Sequence, residues 1–125
     1  MTDRRIAALI GFVAATLVVA SALHLSGAVG DGTPPFHPGR AGVAEAVIAA
    51  VLAVGAIALL RGARRVALGA VAFAIVGFGI GLSMTVRGGG AGDIAYHVTM
   101  LPLVLFALAA LSGASRRGRA SRRTA

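Results

Sequence analysis

The sequence predicts an all-α membrane protein: a bundle of four transmembrane helices with both termini on the cytoplasmic side. Three observations predict it. Hydrophobic residues make up 58% of the 125 and charged ones only 13%, whereas soluble domains are about a quarter charged. The apolar residues gather into four runs, each near the length of about 20 residues that a bilayer requires. The charges lie mostly between the runs, and ten of the twelve arginines fall in alternate segments.

The elements follow in order. Met1 to Arg5 is a charged head, and the first span covers about residues 6–29. A competing reading takes Arg4-Arg5, the apolar core and Ala20-Ser21-Ala22 as a signal peptide cleaved after Ala22. The apolar character runs on to Val29, which favours a retained span. Gly30 to Arg40 contains Pro34, Pro35 and Pro38 and is a loop. The second span, residues 41–60, is interrupted only by Glu45. Arg61 to Arg65 is a tight basic turn, residues 66–86 form the third span, and Arg87 to Asp93 is a glycine-rich turn. The fourth span, residues 94–112, contains Pro102, which frees the carbonyl of Val98 and predicts a kink. Residues 113–125 are basic, lack apolar periodicity and are expected to be disordered.

Orientation follows from the arginines. The head, the basic turn and the tail hold all but Arg40 and Arg87. Positive charge is retained on the cytoplasmic side. The proline loop and the glycine turn then face outward. The net charge of +8 is thus a topology signal. No nucleic-acid partner is expected, because the basic tail carries no interleaved aromatics. Its arginines suit anionic lipid instead.

Helices in lipid associate through small residues and polar contacts. Gly77-xxx-Gly81, extended to Thr85 and back to Phe73 and Gly69, predicts a close-approach face on the third helix. Gly42, Ala46, Ala49, Ala50 and Ala53 form a small-residue ridge on the second, and Gly11, Ala15 and Ala22 lie on the first. Such faces serve contacts within the bundle, a homo-oligomer, or a partner membrane protein.

Three spans carry one ionisable residue each: His24, Glu45 and His97. At 1.5 Å rise per residue, each lies roughly 5–7 Å below the outer end of its span. Ser83 and Thr85 fall at a similar depth in the third. Ionisable residues within spans are costly, face the bundle interior and mark sites by default. Asp93 lies four residues before His97, on the same face, and suits the N-cap of the fourth helix. Tyr96 reads as an interfacial anchor, and His37 as an exposed residue of a stiff loop able to cover the layer. His24, Glu45, His97 and Asp93 make a polar cluster that either fixes register or binds a proton, an ion or a small polar ligand. His24, Glu45 and His97 also match the His/His/carboxylate set of zinc and non-haem iron, though no local spacing motif supports it. Two histidines at one depth also admit a haem plane, but the Ala-rich helices lack bulky walls for it.

Other chemistry is excluded or unsupported. With no cysteine there are no disulfides, thiolate metal sites or cysteine nucleophiles. Neither G-x-S-x-G, a Walker sequence nor a dinucleotide fingerprint occurs. No cofactor is expected.

H-L-S-G at the end of the first helix, A-G-V-A-E-A-V-I opening the second and D-I-A-Y-H-V-T-M-L-P-L opening the fourth resemble small, uncharacterised four-helix integral membrane proteins of GC-rich bacteria. In size and helix count the chain also resembles DoxX-type proteins, with no motif in common. The resemblance implies class and location only. The expected function is that of a non-enzymatic component of the cell membrane. The alternative is a membrane-embedded metal-binding or redox subunit.

The absence of native cysteine makes orientation directly testable. In intact cells, Thr33→Cys and Ala91→Cys are expected to react with a membrane-impermeant maleimide, and Ala63→Cys only after permeabilisation. The reverse pattern would invert the topology.

Overall fold

The computed structural model describes residues 1–29 and 33–123, with side chains through residue 113. Four helices run in sequence: α1 (Asp3–Leu25), α2 (Pro38–Leu60), α3 (Arg64–Gly88) and α4 (Ala91–Arg123). Each is long and apolar enough to cross a membrane, α4 through its Ala91–Gly113 part. Neighbours in sequence pack as neighbours in space, and α4 returns to α1 to close the bundle.

The helix ends have local causes. α1 stops at Leu25, four residues before the end predicted from its apolar run. Gly27 takes a positive φ of 73°. Its amide donates to the carbonyl of His24, and the amide of Ala28 donates to that of Leu23. This paired-bond C-cap needs a left-handed residue, which glycine supplies. Hydropathy does not register it, because Ala28 and Val29 are still apolar. The same cap closes α2, where Gly62 has φ of 81° and Ala63 donates to Ala58. α2 begins at Pro38, whose missing N–H costs nothing in the first turn. The glycine turn before α4 is shorter than predicted. Helical backbone reaches Gly88 and resumes at Ala91. α4 runs through Pro102 and continues to Arg123, where composition predicts disorder. Alanine and arginine propagate a helix once it has formed.

The core is a set of interlocked faces at steps of three and four. On α1 these are Ile6, Ala7, Ile10, Val13, Ala14, Leu17, Ser21 and His24. On α2 they are Gly42, Glu45, Ile48, Ala49, Leu52, Gly55, Ala56 and Leu59. The predicted α2 ridge is therefore partly misplaced. Gly42 and Ala49 face inward, but Ala46, Ala50 and Ala53 are exposed. On α1, Ala15 and Ala22 are exposed, and nothing approaches Gly11 within 4 Å of where a Cβ would stand. Larger side chains fill that interface instead. The Gly77-xxx-Gly81 face holds: a Cβ on Gly77 would meet Ile48 Cδ1 at 2.5 Å. At Gly69 the space is open.

Polar groups reinforce the packing. The hydroxyl of Ser21 donates to the carbonyl of Gly42 at 2.7 Å and joins α1 to α2. At the opposite end of the bundle, Arg64 forms a clasp. Its Nη1 lies 2.6 Å from Asp3 of α1, and its Nε and Nη2 donate to the carbonyl of Leu111 in α4 at 3.0 and 2.7 Å. An arginine counted in the sequence only as a topology charge thus joins three helices.

The glycine contacts separate two substitutions. A Cβ on Gly55 would stand 2.5 Å from that of Ala70, so Gly55→Ala is expected to cost about 1–3 kcal/mol by overpacking. Gly11→Ala enters open space and is expected to be neutral or stabilising, by up to about 1 kcal/mol. Thermal unfolding of both variants in one detergent checks the contrast.

Candidate functional site

His24 is the last residue but one of α1, Glu45 lies in the second turn of α2, and Asp93 and His97 occupy the first two turns of α4. The alternating helix directions bring these ends to one side of the bundle. There they form a connected cluster. His24 Nδ1 lies 2.8 Å from Glu45 Oε2. On the opposite edge of the ring, Nε2 stands 3.2 Å from Asp93 Oδ1, at ion-pair distance but off the line of a hydrogen bond. One imidazole thus connects α1 to α2 and to α4. His24 and Glu45 are buried, at 4% and 5% exposure, so their charges are sheltered from water.

The sequence reading of Asp93 needs correction. α4 begins three residues earlier than predicted, so Asp93 sits inside the first turn. Its carboxylate turns to His24 and leaves the helix-capping role. The bond with His97 runs through the Asp93 backbone, whose carbonyl accepts from Nδ1 at 2.8 Å. That bond puts a proton on Nδ1, and in the tautomer that carries no second proton Nε2 is an acceptor. The ring edge carrying Nε2 lies against Gly81, so close that a Cβ there would collide with it. Gly81 is small because His97 occupies the space.

Proton accounting constrains the cluster further. Neutral imidazole has one N–H, whereas Glu45 and Asp93 each offer carboxylate oxygens on opposite edges. Satisfying both edges requires either an imidazolium or a protonated carboxyl. With both carboxylates ionised, His24, Glu45 and Asp93 carry at most one positive charge against two negative ones.

The rest of the predicted layer divides. Thr85 is buried and donates to the carbonyl of Gly81 at 2.7 Å. Ser83 is exposed and bonds its own helix. Tyr96 is not an interfacial anchor: it turns inward, and its hydroxyl lies 3.1 Å from Thr16 Oγ1 on α1. Its ring packs near Phe78 and His97. His37 is exposed, as predicted. The loop residue that covers the layer is its neighbour Phe36, buried at 4% exposure. Its ring meets His24 edge-on, with centroids 5.9 Å apart. A lone apolar residue between prolines is the only sequence signal for that contact. The amide of Thr33 donates to the carbonyl of Gly88 at 2.9 Å and fastens the loop to the α3–α4 turn.

Beside the cluster, between α2 and α3, lies a cavity of about 510 Å³. Leu17, His24, Glu45, Phe78, Thr85 and His97 contribute polar and apolar lining from the bundle interior, and Pro35, Phe36, His37 and Arg40 from the loop side. Its flanks include Val47, Phe73, Val76, Ile80 and Met84, all on the exposed surface of the two helices. Its volume falls within the roughly 300–1,000 Å³ range of small-molecule sites.

The cluster does not converge as a metal site would. Among the described residues, no three His, Cys, Asp or Glu side chains are grouped to hold an ion. Glu45 and Asp93 take opposite nitrogens of His24, and a metal on either nitrogen would displace one of them.

Fold and site together define a class: a small polytopic membrane protein with a buried carboxylate–imidazole–carboxylate cluster beside an apolar cavity. Compared with protein-family models, curated proteins and solved structures, the chain matches none.

If His24 is the bridge, its removal costs more than loss of either flank. His24→Ala leaves two carboxylates facing each other and is expected to cost about 3–5 kcal/mol. Asp93→Asn keeps the shape and removes one charge, and is expected to cost about 1 kcal/mol. Equal losses in thermal unfolding would show that His24 is not the bridge.

Proposed function

We propose that the chain is a non-enzymatic component of the cell membrane, with both termini cytoplasmic, that binds a small amphiphilic ligand. The ligand's apolar body lies between α2 and α3, and its polar end reaches Glu45 and His97. The observation that carries this reading is the cavity of about 510 Å³, which ends on buried polar groups. A cluster that only fixed register would be expected to spend its hydrogen-bonding capacity on the bundle. Here Glu45 gives Oε2 to His24, while Oε1 has no hydrogen bond among the described residues. His97 likewise commits only Nδ1. The bridge therefore serves the fold, and the uncommitted atoms serve a ligand.

The arginine asymmetry favours the outer side of the membrane for this end of the bundle. Entry is lateral, from the outer leaflet, because the cavity flanks are the lipid-facing side chains of α2 and α3. The basic tail holds the opposite side against anionic lipid.

Dodecanol is a suitable first probe. Native mass spectrometry of protein released from micelles is expected to show one bound dodecanol. Ala44→Trp should lower that occupancy several-fold, because Ala44 lines the cavity and is exposed rather than packed. Equal occupancy in both proteins would sink the cavity as a binding site.

A further inference from the structure

We infer that the cavity selects amphiphiles with a cationic, hydrogen-bond-donating head, such as a protonated long-chain amine. This rests on the reading of the cavity as a ligand site and names the class of ligand.

The groups left at the cavity floor set this preference. Glu45 is 95% buried by its 5% exposure, lines the cavity and has Oε1 uncommitted. A carboxylate oxygen accepts only. His97, at 8% exposure, also lines the cavity. With Nδ1–H given to the Asp93 carbonyl, Nε2 is an acceptor too in the tautomer that carries no second proton. Thr85 has given its hydroxyl hydrogen to Gly81, so its oxygen offers lone pairs. The floor therefore presents three acceptors, and the one edge there that could donate, His24 Nε2, is turned to Asp93. An alcohol head satisfies one acceptor, a carboxylate head none, and an ammonium head up to three.

Charge points the same way. With both carboxylates ionised, Glu45 and Asp93 outnumber His24 even when that ring is an imidazolium. An ammonium head adds a charge-assisted bond to Glu45, about twice as strong as a neutral one. The walls are apolar, so the charge has no competing partner within the cavity. The only full cation among the lining residues is Arg40, and it is exposed. Water screens its repulsion of a head at the floor. His37, the other titratable group at the mouth, is exposed as well. An anionic head would be drawn to that rim and would leave the floor acceptors unsatisfied.

The test loads the full-length protein, in one detergent near neutral pH, with dodecylammonium, dodecanol or dodecanoate at equal concentration. Occupancy is counted by native mass spectrometry. The ammonium is expected to exceed the alcohol by about tenfold and the carboxylate by more. Glu45→Gln keeps the shape and an acceptor for His24. It should bring the ammonium down to the level of the alcohol. Arg40→Gln sits at an exposed position, so it provides a second arm should Glu45→Gln not fold. It should raise the ammonium slightly and lower the carboxylate. Equal occupancy by ammonium and alcohol, or highest occupancy by the carboxylate, overturns the cationic selectivity and leaves the cavity reading standing. No bound probe of any kind overturns both.

Discussion

One imidazole held between two carboxylates organises the upper half of this bundle. His24 takes Glu45 of α2 on one edge and faces Asp93 of α4 on the other. Apolar faces alone would let neighbouring helices slide by a turn at little cost, since lipid solvates leucine as well as a neighbouring helix does. A charged contact in a dry environment does not slide. A one-turn shift of α1 would move His24 about 5 Å from both partners, exposing two carboxylates to an apolar surround. Phe36 completes the enclosure by covering the ring from the loop side.

The packing around this anchor is uneven, and the unevenness makes the site. α1 and α2 approach closely where Ser21 bonds the backbone at Gly42. α2 and α3 touch at Gly55 and Ala70, and again where Ile48 meets Gly77. Beyond Ile48, toward the His24 end, the two helices bound a cavity instead of a contact. Glycine and alanine bring backbones together where they face each other. Where Ala41 and Ala44 face the cavity, the same small size leaves room.

The spans were legible because hydropathy and arginine placement are averages over many residues. The end of α2 at Leu60 was legible too, but that of α1 was not, because one backbone angle decides it. Gly27 stopped α1 inside a run that still looked apolar. The cluster was legible at the level of depth: ionisable residues are costly inside apolar helices, and three of them fall at one height. Its connectivity was not. Which oxygen of Asp93 meets which histidine depends on where α4 begins, and a three-residue change turned a cap into an ion pair. The roles of Tyr96, Phe36 and Arg64 were hidden for a related reason. Each acts through a partner distant in sequence, namely Thr16, His24 and Asp3, and no local pattern announces such a partner.

The bond from Thr33 to Gly88 gives the first loop a mechanical role. By chain connectivity that loop only links α1 to α2. Through this bond and the close approach of Gly88 to the Thr33 backbone, it also reaches across the bundle to the α3–α4 turn. The end bearing the cluster is thus belted by main chain as well as by side chains. A displacement of the α3–α4 turn pulls on the segment that carries Phe36, and so on the cover over His24. An epitope or linker inserted between Thr33 and Phe36 would loosen this belt and leave the four spans themselves intact.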